Sequence, residues 1–414
     1  MFLQIFIILF IMTVLTKLTL IGLNIKSVQE NVKVPAEFSS VINQEQHEKA
    51  QTYSLAKARF SLGQLVFNQV ILIAWLFSGL LDLLAQSIES IGLGPLSVGV
   101  IFLLAFNIIN GVISLPFDWY FNFKLEEKFG FNKMTPKIFI IDHIKQFFLG
   151  LAIGVPLLYA ILFFLYKTGD NWWLITWAFI VAFQFIMIWA YPKFIAPLFN
   201  KFKPLDDEKL SAKIATLLDS CKLVFKDFYT MNASIRSSHG NAYFTGFGKN
   251  RRIVFFDTLL ETLEDNEVIA VLAHELGHLK RKHILKSIVI STAGLFVGLY
   301  ILSLAVKNQI LVQSFGIKTT EKYMQLLLFT LTVPFFTYFL TPISSWFSRK
   351  NEFEADEFAA THAHAKDLIS ALLKLIRDNS STVTPHPVYS KFYFSHPPPR
   401  ERIAFLKSLE TKSP

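Results

Sequence analysis

The stretch Val271-Leu-Ala-His-Glu-Leu-Gly-His-Leu279 carries two histidines four residues apart, with a glutamate directly after the first. On a helix, His274 and His278 project from one face, so both imidazoles can reach one metal ion. Glu275 sits beside them, where a carboxylate could take a proton from water activated by that metal. The bland alternative is a coincidental match on a surface helix. Against it, Val271, Leu272, Ala273 and Leu276 make the helix apolar, and buried histidines beside a glutamate need partners. A hydrolytic zinc site uses three protein ligands and keeps one position open. The best source of the third is Arg349-Lys-Asn-Glu-Phe-Glu-Ala-Asp-Glu-Phe358, where Glu352 and Asp356 are also four apart. Glu352 would complete one Zn²⁺ site per chain, and Asp356 would orient a ligand histidine. Read alone, this segment is an acidic helix start; beside the histidine pair, metal binding is the better reading.

Other reactive residues earn blander readings. His362 and His364 alternate, so on a helix they face different ways and make no second metal site. His283, five positions after His278, is expected at the membrane interface. Cys221 is the single cysteine, which excludes an internal disulfide and reads as a small buried hydrophobe. Lys280-Arg-Lys282 suits a helix C-terminus and an anchor to anionic headgroups, with no nucleic-acid partner implied.

The elements that must position these residues are set by an unusual composition. Of 414 residues, 52% are hydrophobic and only 17% charged, against about 25% in ordinary soluble domains. Apolar runs of about 20 residues fall near Phe2–Leu23, Leu65–Ala85, Leu96–Phe117, Phe147–Tyr166, Trp172–Ala190, Ser287–Val306 and Met324–Phe347. The first lacks a basic start and a cleavage site, so it is read as a retained helix and not a signal peptide. The loops on one side of these runs hold 35 of the 40 Lys and Arg, and those on the other hold 4. Counting short loops alone, the division is 10 against 4. The basic side is expected to be cytoplasmic, with the N-terminus outside and the C-terminus inside. Within the runs, Asp82, Asn107, Asn110 and Gln184 must face protein or water.

The expected fold is therefore an all-α polytopic membrane protein. It has seven transmembrane helices and a cytoplasm-facing zinc metalloprotease domain containing a small β element. Residues 1–190 hold helices one to five, 191–286 the His-Glu-x-x-His region, 287–347 the last two helices, and 348–414 the third ligand. Within 191–286, Asp206–Leu218 reads as helix, Asn241–Phe247 and Arg252–Phe256 as strands, and Asp265-Asn266 as the start of the histidine helix.

These residues together resemble the integral-membrane zinc endoproteases of the type I CAAX prenyl protease family. The likeness includes Leu115-Pro-Phe-Asp-Trp-Tyr, Glu126-Glu-Lys-Phe-Gly-Phe-Asn, Tyr191-Pro-Lys-Phe-Ile-Ala-Pro-Leu-Phe-Asn200, Gly240-Asn-Ala-Tyr-Phe-Thr-Gly-Phe247 and Ser395-His-Pro-Pro-Pro-Arg-Glu-Arg-Ile403. The resemblance implies that His274, His278 and Glu352 bind zinc, that Glu275 is the general base and that Asp356 holds a zinc histidine. It further implies that Asn241, His396 and Arg402 contact the substrate backbone or the developing oxyanion. The partners it implies are a peptide or protein substrate, including proteins prenylated at a C-terminal Cys motif, and membrane lipid. The alternatives are a membrane quality-control metalloprotease without prenyl specificity, and a transporter or channel with an incidental metal site. The tail shows no endoplasmic-reticulum retrieval signal and loop 307–323 is short, which together favour a bacterial inner membrane over the endoplasmic reticulum.

Overall fold

The computed structural model describes residues 1–246 and 251–410. Among them, seven helical stretches are long and apolar enough to cross a membrane. They are α1 (Phe2–Glu30), α2 (Gln44–Phe77), α4 (Pro95–Tyr120, prolonged to Phe129), α5 (Pro136–Lys167), α6 (Trp172–Ala190, within a helical stretch Gly169–Phe199), α9 (His283–Lys307) and α10 (Lys322–Thr337, within a helical stretch that continues to His362). Their outer faces expose large apolar side chains such as Ile8, Leu15, Val70, Val289 and Ile290, as lipid-facing helices do.

The second span departs from expectation. Hydropathy places it at 65–85, but α2 begins at Gln44 and ends at Phe77. Its 34 residues reach about 50 Å, so its polar first half projects beyond the roughly 30 Å hydrocarbon layer. Gly79, at φ +82°, ends it, and a separate helix α3 (Leu80–Glu89) follows. Asp82 consequently lies outside that span, where its carboxylate accepts from the backbone N–H of Lys318 and Thr319. Asn107 and Asn110 donate back to the carbonyls of Leu103 and Phe106, and Asn110 accepts from the Trp75 indole.

Between α6 and α9 lies a lobe built of α7 (Glu208–Ser220), α8 (Asp265–Lys280) and strands β1 (Phe202–Pro204), β2 (Asp227–Met231), β3 (Ala242–Thr245) and β4 (Arg252–Phe256). The sheet order is β1-β2-β4-β3, with β2 and β4 parallel and the other pairs antiparallel. β3 is thus an edge strand; Phe247, the end of the expected strand, lies outside the described residues. After α10 the chain continues through a short 3₁₀ turn into α11 (Thr341–His362), then α12 (Ala365–Asp378), α13 (Pro387–Tyr393) and α14 (Pro399–Glu410). The two polar stretches share one core: Ile214, Phe255, Leu272 and Leu276 pack with Ala359, Leu368 and Leu406. A separate core, including Phe102, Leu162, Tyr323 and Leu327, joins the membrane helices.

Candidate active site

Helix α8 starts with a capping box in which Glu264 and Glu267 serve each other's backbone N–H. The cap is Glu264, one residue before the expected Asp265; Asp265 instead pairs with Lys213 of α7 at 3.0 Å. Glu267 is buried, and accepts from Lys374 at 2.8 Å and Ser370 at 2.6 Å, both on α12. Further along, Gly277 lets α8 cross α11 backbone to backbone. A Cβ there would lie 2.9 Å from the Ala355 Cα and 3.1 Å from the Phe358 Cβ.

That crossing sets Glu352 against both histidines. Its Oε1 lies 3.3 Å from His278 Nε2 and its Oε2 3.4 Å from His274 Nε2. The two Nε2 atoms are 3.2 Å apart. This is the one group of metal-ligating side chains found among the described residues, its donor atoms all within 4.8 Å. The donor set fits a divalent cation on two counts. Glu352 Oε2 is buried with no hydrogen-bond partner, and two imidazole nitrogens facing each other without a bridging cation would be poorly paired.

The outer partners direct both lone pairs inward. Asp356, fully buried, accepts from His274 Nδ1 at 2.8 Å, so that proton sits on Nδ1 and Nε2 is left bare. Arg402 closes the other side of Asp356 with two N–H groups, and its Nη1 lies 3.8 Å from Glu352 Oε2. His278 Nδ1 meets His283 Nδ1 at 3.0 Å, and His283 Nε2 reaches Glu354 Oε2 at 3.2 Å. With His283 donating to Glu354, its Nδ1 accepts the His278 proton, and the His278 Nε2 lone pair is also left for metal.

This overturns the interfacial reading of His283, which is 4% exposed. Helical spacing could not place it, because Lys282 at φ +57° breaks the chain between α8 and α9 and folds His283 back onto His278. Glu354 was likewise missed; its only signal was its place between Glu352 and Asp356.

Burial opposes charge on His274, but Asp356 and Glu352 outweigh it and raise its pKa, so the pocket favours a positive charge. Burial also raises the Glu275 carboxyl, and that group makes no hydrogen bond among the described residues. His396 faces the site with Nε2 3.4 Å from Glu352 Oε1; desolvation lowers its pKa. Asn241 lies at the start of β3, a strand that packs against α8. Its side chain accepts from the Ala242 N–H and shares no polar contact with the metal ligands. Two cavities flank the site, one reaching the residues beside the candidate ligands and the other the ligands themselves. One of about 580 Å³ is walled by His396, Arg402 and parts of α1 and α2. The other, about 420 Å³, runs between α6, α9 and α11 past Gln184, His278 and Glu352.

Seven apolar helices carrying a His-Glu-x-x-His helix, crossed by a helix that sets a buried carboxylate against both histidines, have the architecture of an integral-membrane metallopeptidase. Residues 24–201 match the profile of the CAAX prenyl protease N-terminal region with five membrane helices, and residues 204–410 that of peptidase family M48. The chain is 36% identical to the CAAX prenyl protease 1 homolog of Arabidopsis thaliana, over 92% of each chain. It is 32% identical to CAAX prenyl protease 1 of Saccharomyces cerevisiae, over 92% of this chain and 90% of that one. The crystal structure of S. mikatae Ste24p matches it with a TM-score of 0.93 and 29% identity, covering 98% of this chain and 99% of that one. The chain belongs to the M48 family, in its CAAX prenyl protease 1 branch, and is a multi-pass membrane metalloendopeptidase. The transporter and channel readings are set aside accordingly.

Proposed function

We propose that this protein is a zinc-dependent endopeptidase that removes the last three residues of proteins prenylated at a C-terminal Cys motif. We place this activity at the cytoplasmic face of the membrane. The observation that carries the reading is the convergence of His274 Nε2, His278 Nε2 and Glu352 where α8 crosses α11, next to the unpaired Glu275. Zinc bound by these three ligands would polarise the scissile carbonyl and make water acidic near neutral pH. Glu275 takes the proton of the attacking water and delivers it to the leaving amine. His396 and Arg402, both within 3.8 Å of Glu352, face developing negative charge. Asn241 marks the entry of edge strand β3, where an extended peptide can add as a further strand. The basic loops on the side that holds the site support its cytoplasmic orientation.

Cleavage of a farnesylated Cys-aliphatic-aliphatic-X peptide, measured with zinc content for wild type and Glu275→Ala, tests this. The variant should keep its zinc and lose at least about 100-fold in turnover. If zinc-loaded wild type leaves the peptide intact, prenyl specificity fails and the quality-control reading replaces it.

A further inference from the structure

A protease that cuts three residues before a chain end must accommodate a free carboxylate. In extended form three residues span about 10 Å, so that carboxylate falls well beyond the scissile bond and needs a binding group of its own. Burying it there without a cation would be costly.

The 580 Å³ cavity that begins at His396 and Arg402 has the size of a small-ligand pocket. Among the described residues no Asp or Glu lines it, and the only side chains there with a fixed positive charge are Arg402 and Lys57. Arg402 is committed: it is 8% exposed and bonded twice to Asp356. Lys57, on the projecting half of α2, is different. It is exposed to the cavity and makes no hydrogen bond or ion pair among the described residues. Its ammonium lies over an aromatic face, 4.5 Å from the centroid of Tyr53, and is attracted through space by the carboxylate of Glu126. The nearby carboxylate, Glu126, is buried behind the wall and already served. It accepts from the Tyr53 hydroxyl, and His239 Nε2 lies 3.7 Å away. His239 is fixed in turn by Asn379 at 2.9 Å and by stacking on Phe131. Tyr53, Glu126 and His239 thus hold one another, and the Lys57 ammonium, attracted by Glu126 without a hydrogen bond to it, keeps its donors for a ligand in the cavity.

We infer that Lys57 is the recognition group for the α-carboxylate of the substrate's C-terminal residue, and so selects for chain ends over internal bonds. This rests on the reading above that the protein processes C-termini. An ammonium–carboxylate hydrogen bond in such a setting should be worth about tenfold to a hundredfold in kcat/KM.

The test uses full-length, zinc-loaded protein and two farnesylated Cys-aliphatic-aliphatic-Ser peptides, one ending in the free acid and one in the amide. Wild type should prefer the acid at least tenfold. Lys57→Met should lower kcat/KM for the acid and bring the acid-to-amide ratio close to one, whereas Lys57→Arg should keep the preference. If wild type prefers the acid but Lys57→Met preserves the ratio while retaining zinc, the assignment of Lys57 is wrong and the C-terminal reading stands. If wild type cleaves both peptides equally, recognition of the chain end fails and the Lys57 assignment falls with it. Loss of cleavage of both peptides by wild type, with an internal-bond reporter still cut, would overturn the C-terminal reading itself.

Discussion

Behind His274 stands a buried ion pair, Asp356 with Arg402, whereas behind His278 stands an uncharged ring, His283, ending on the 29%-exposed side chain of Glu354. Both arrangements do the same work: each takes the Nδ1 proton and turns Nε2 to the metal position. They differ in what they join to it. Arg402 belongs to α14, so the ion pair fastens the C-terminal helix to the centre. His283 opens α9, so the imidazole chain fastens a membrane helix. A buried ion pair is hard to lose by halves, because removing one partner strands the other. A hydrogen-bonded ring near solvent can be lost at less cost to folding.

The largest expected effect comes from Asp356→Ala, which leaves the Arg402 guanidinium buried and unpaired. It should destabilise the protein by about 3–5 kcal/mol, read as a fall in thermal midpoint even without metal. A double variant that also carries Arg402→Met should recover part of that loss; if it recovers none, Asp356 and Arg402 are not acting as a pair. On the other side, His283→Ala should weaken zinc binding about 10- to 100-fold in competition with a chelator. The metal-free midpoint should change much less than in Asp356→Ala. His283→Gln, whose amide can accept from His278 and donate to Glu354, should restore part of the affinity. Equal effects of both variants on metal-free stability would erase the contrast.

The smallest effect is expected at the far end of α8. Burial raises the Glu267 carboxyl, but the bonds from Lys374 and Ser370 outweigh it and hold its pKa below the usual range. A lowered folded pKa gives stability that is complete above the unfolded glutamate pKa and is lost as pH falls through the folded value. Glu267→Gln should therefore cost about 1 kcal/mol at neutral pH, with the difference from wild type shrinking on the acid side of the glutamate range. Denaturation midpoints across that range would show it. A constant difference would assign the loss to shape instead of charge.

The membrane helices were legible because lipid demands about 20 apolar residues in a row, and a hydropathy window sees that directly. It did not see the polar half of α2 or the stop at Gly79, since neither changes hydropathy in the expected place. The His-Glu-x-x-His pair and the Glu352–Asp356 pair were legible because spacing of four on a helix fixes a shared face. That Gly277 lies against Ala355 explains why the intervening residue is glycine, a reason visible only once the helices cross. The connection from Asp356 to Arg402, 46 residues apart, follows from the shared core of α11 and α14 and not from any local pattern. His283 was hidden by a single left-handed residue.

The central claim is that His274, His278 and Glu352 hold one zinc ion with a fourth position open. X-ray absorption at the zinc edge tests it most directly, on purified wild type and on Glu352→Ala. Wild type should show one zinc per chain, with two imidazole nitrogens at about 2.0–2.1 Å and light oxygen ligands beside them. Glu352→Ala should lose most of its zinc. A wild-type spectrum containing sulfur, or a Glu352→Ala protein that retains full zinc with an unchanged spectrum, would contradict the account.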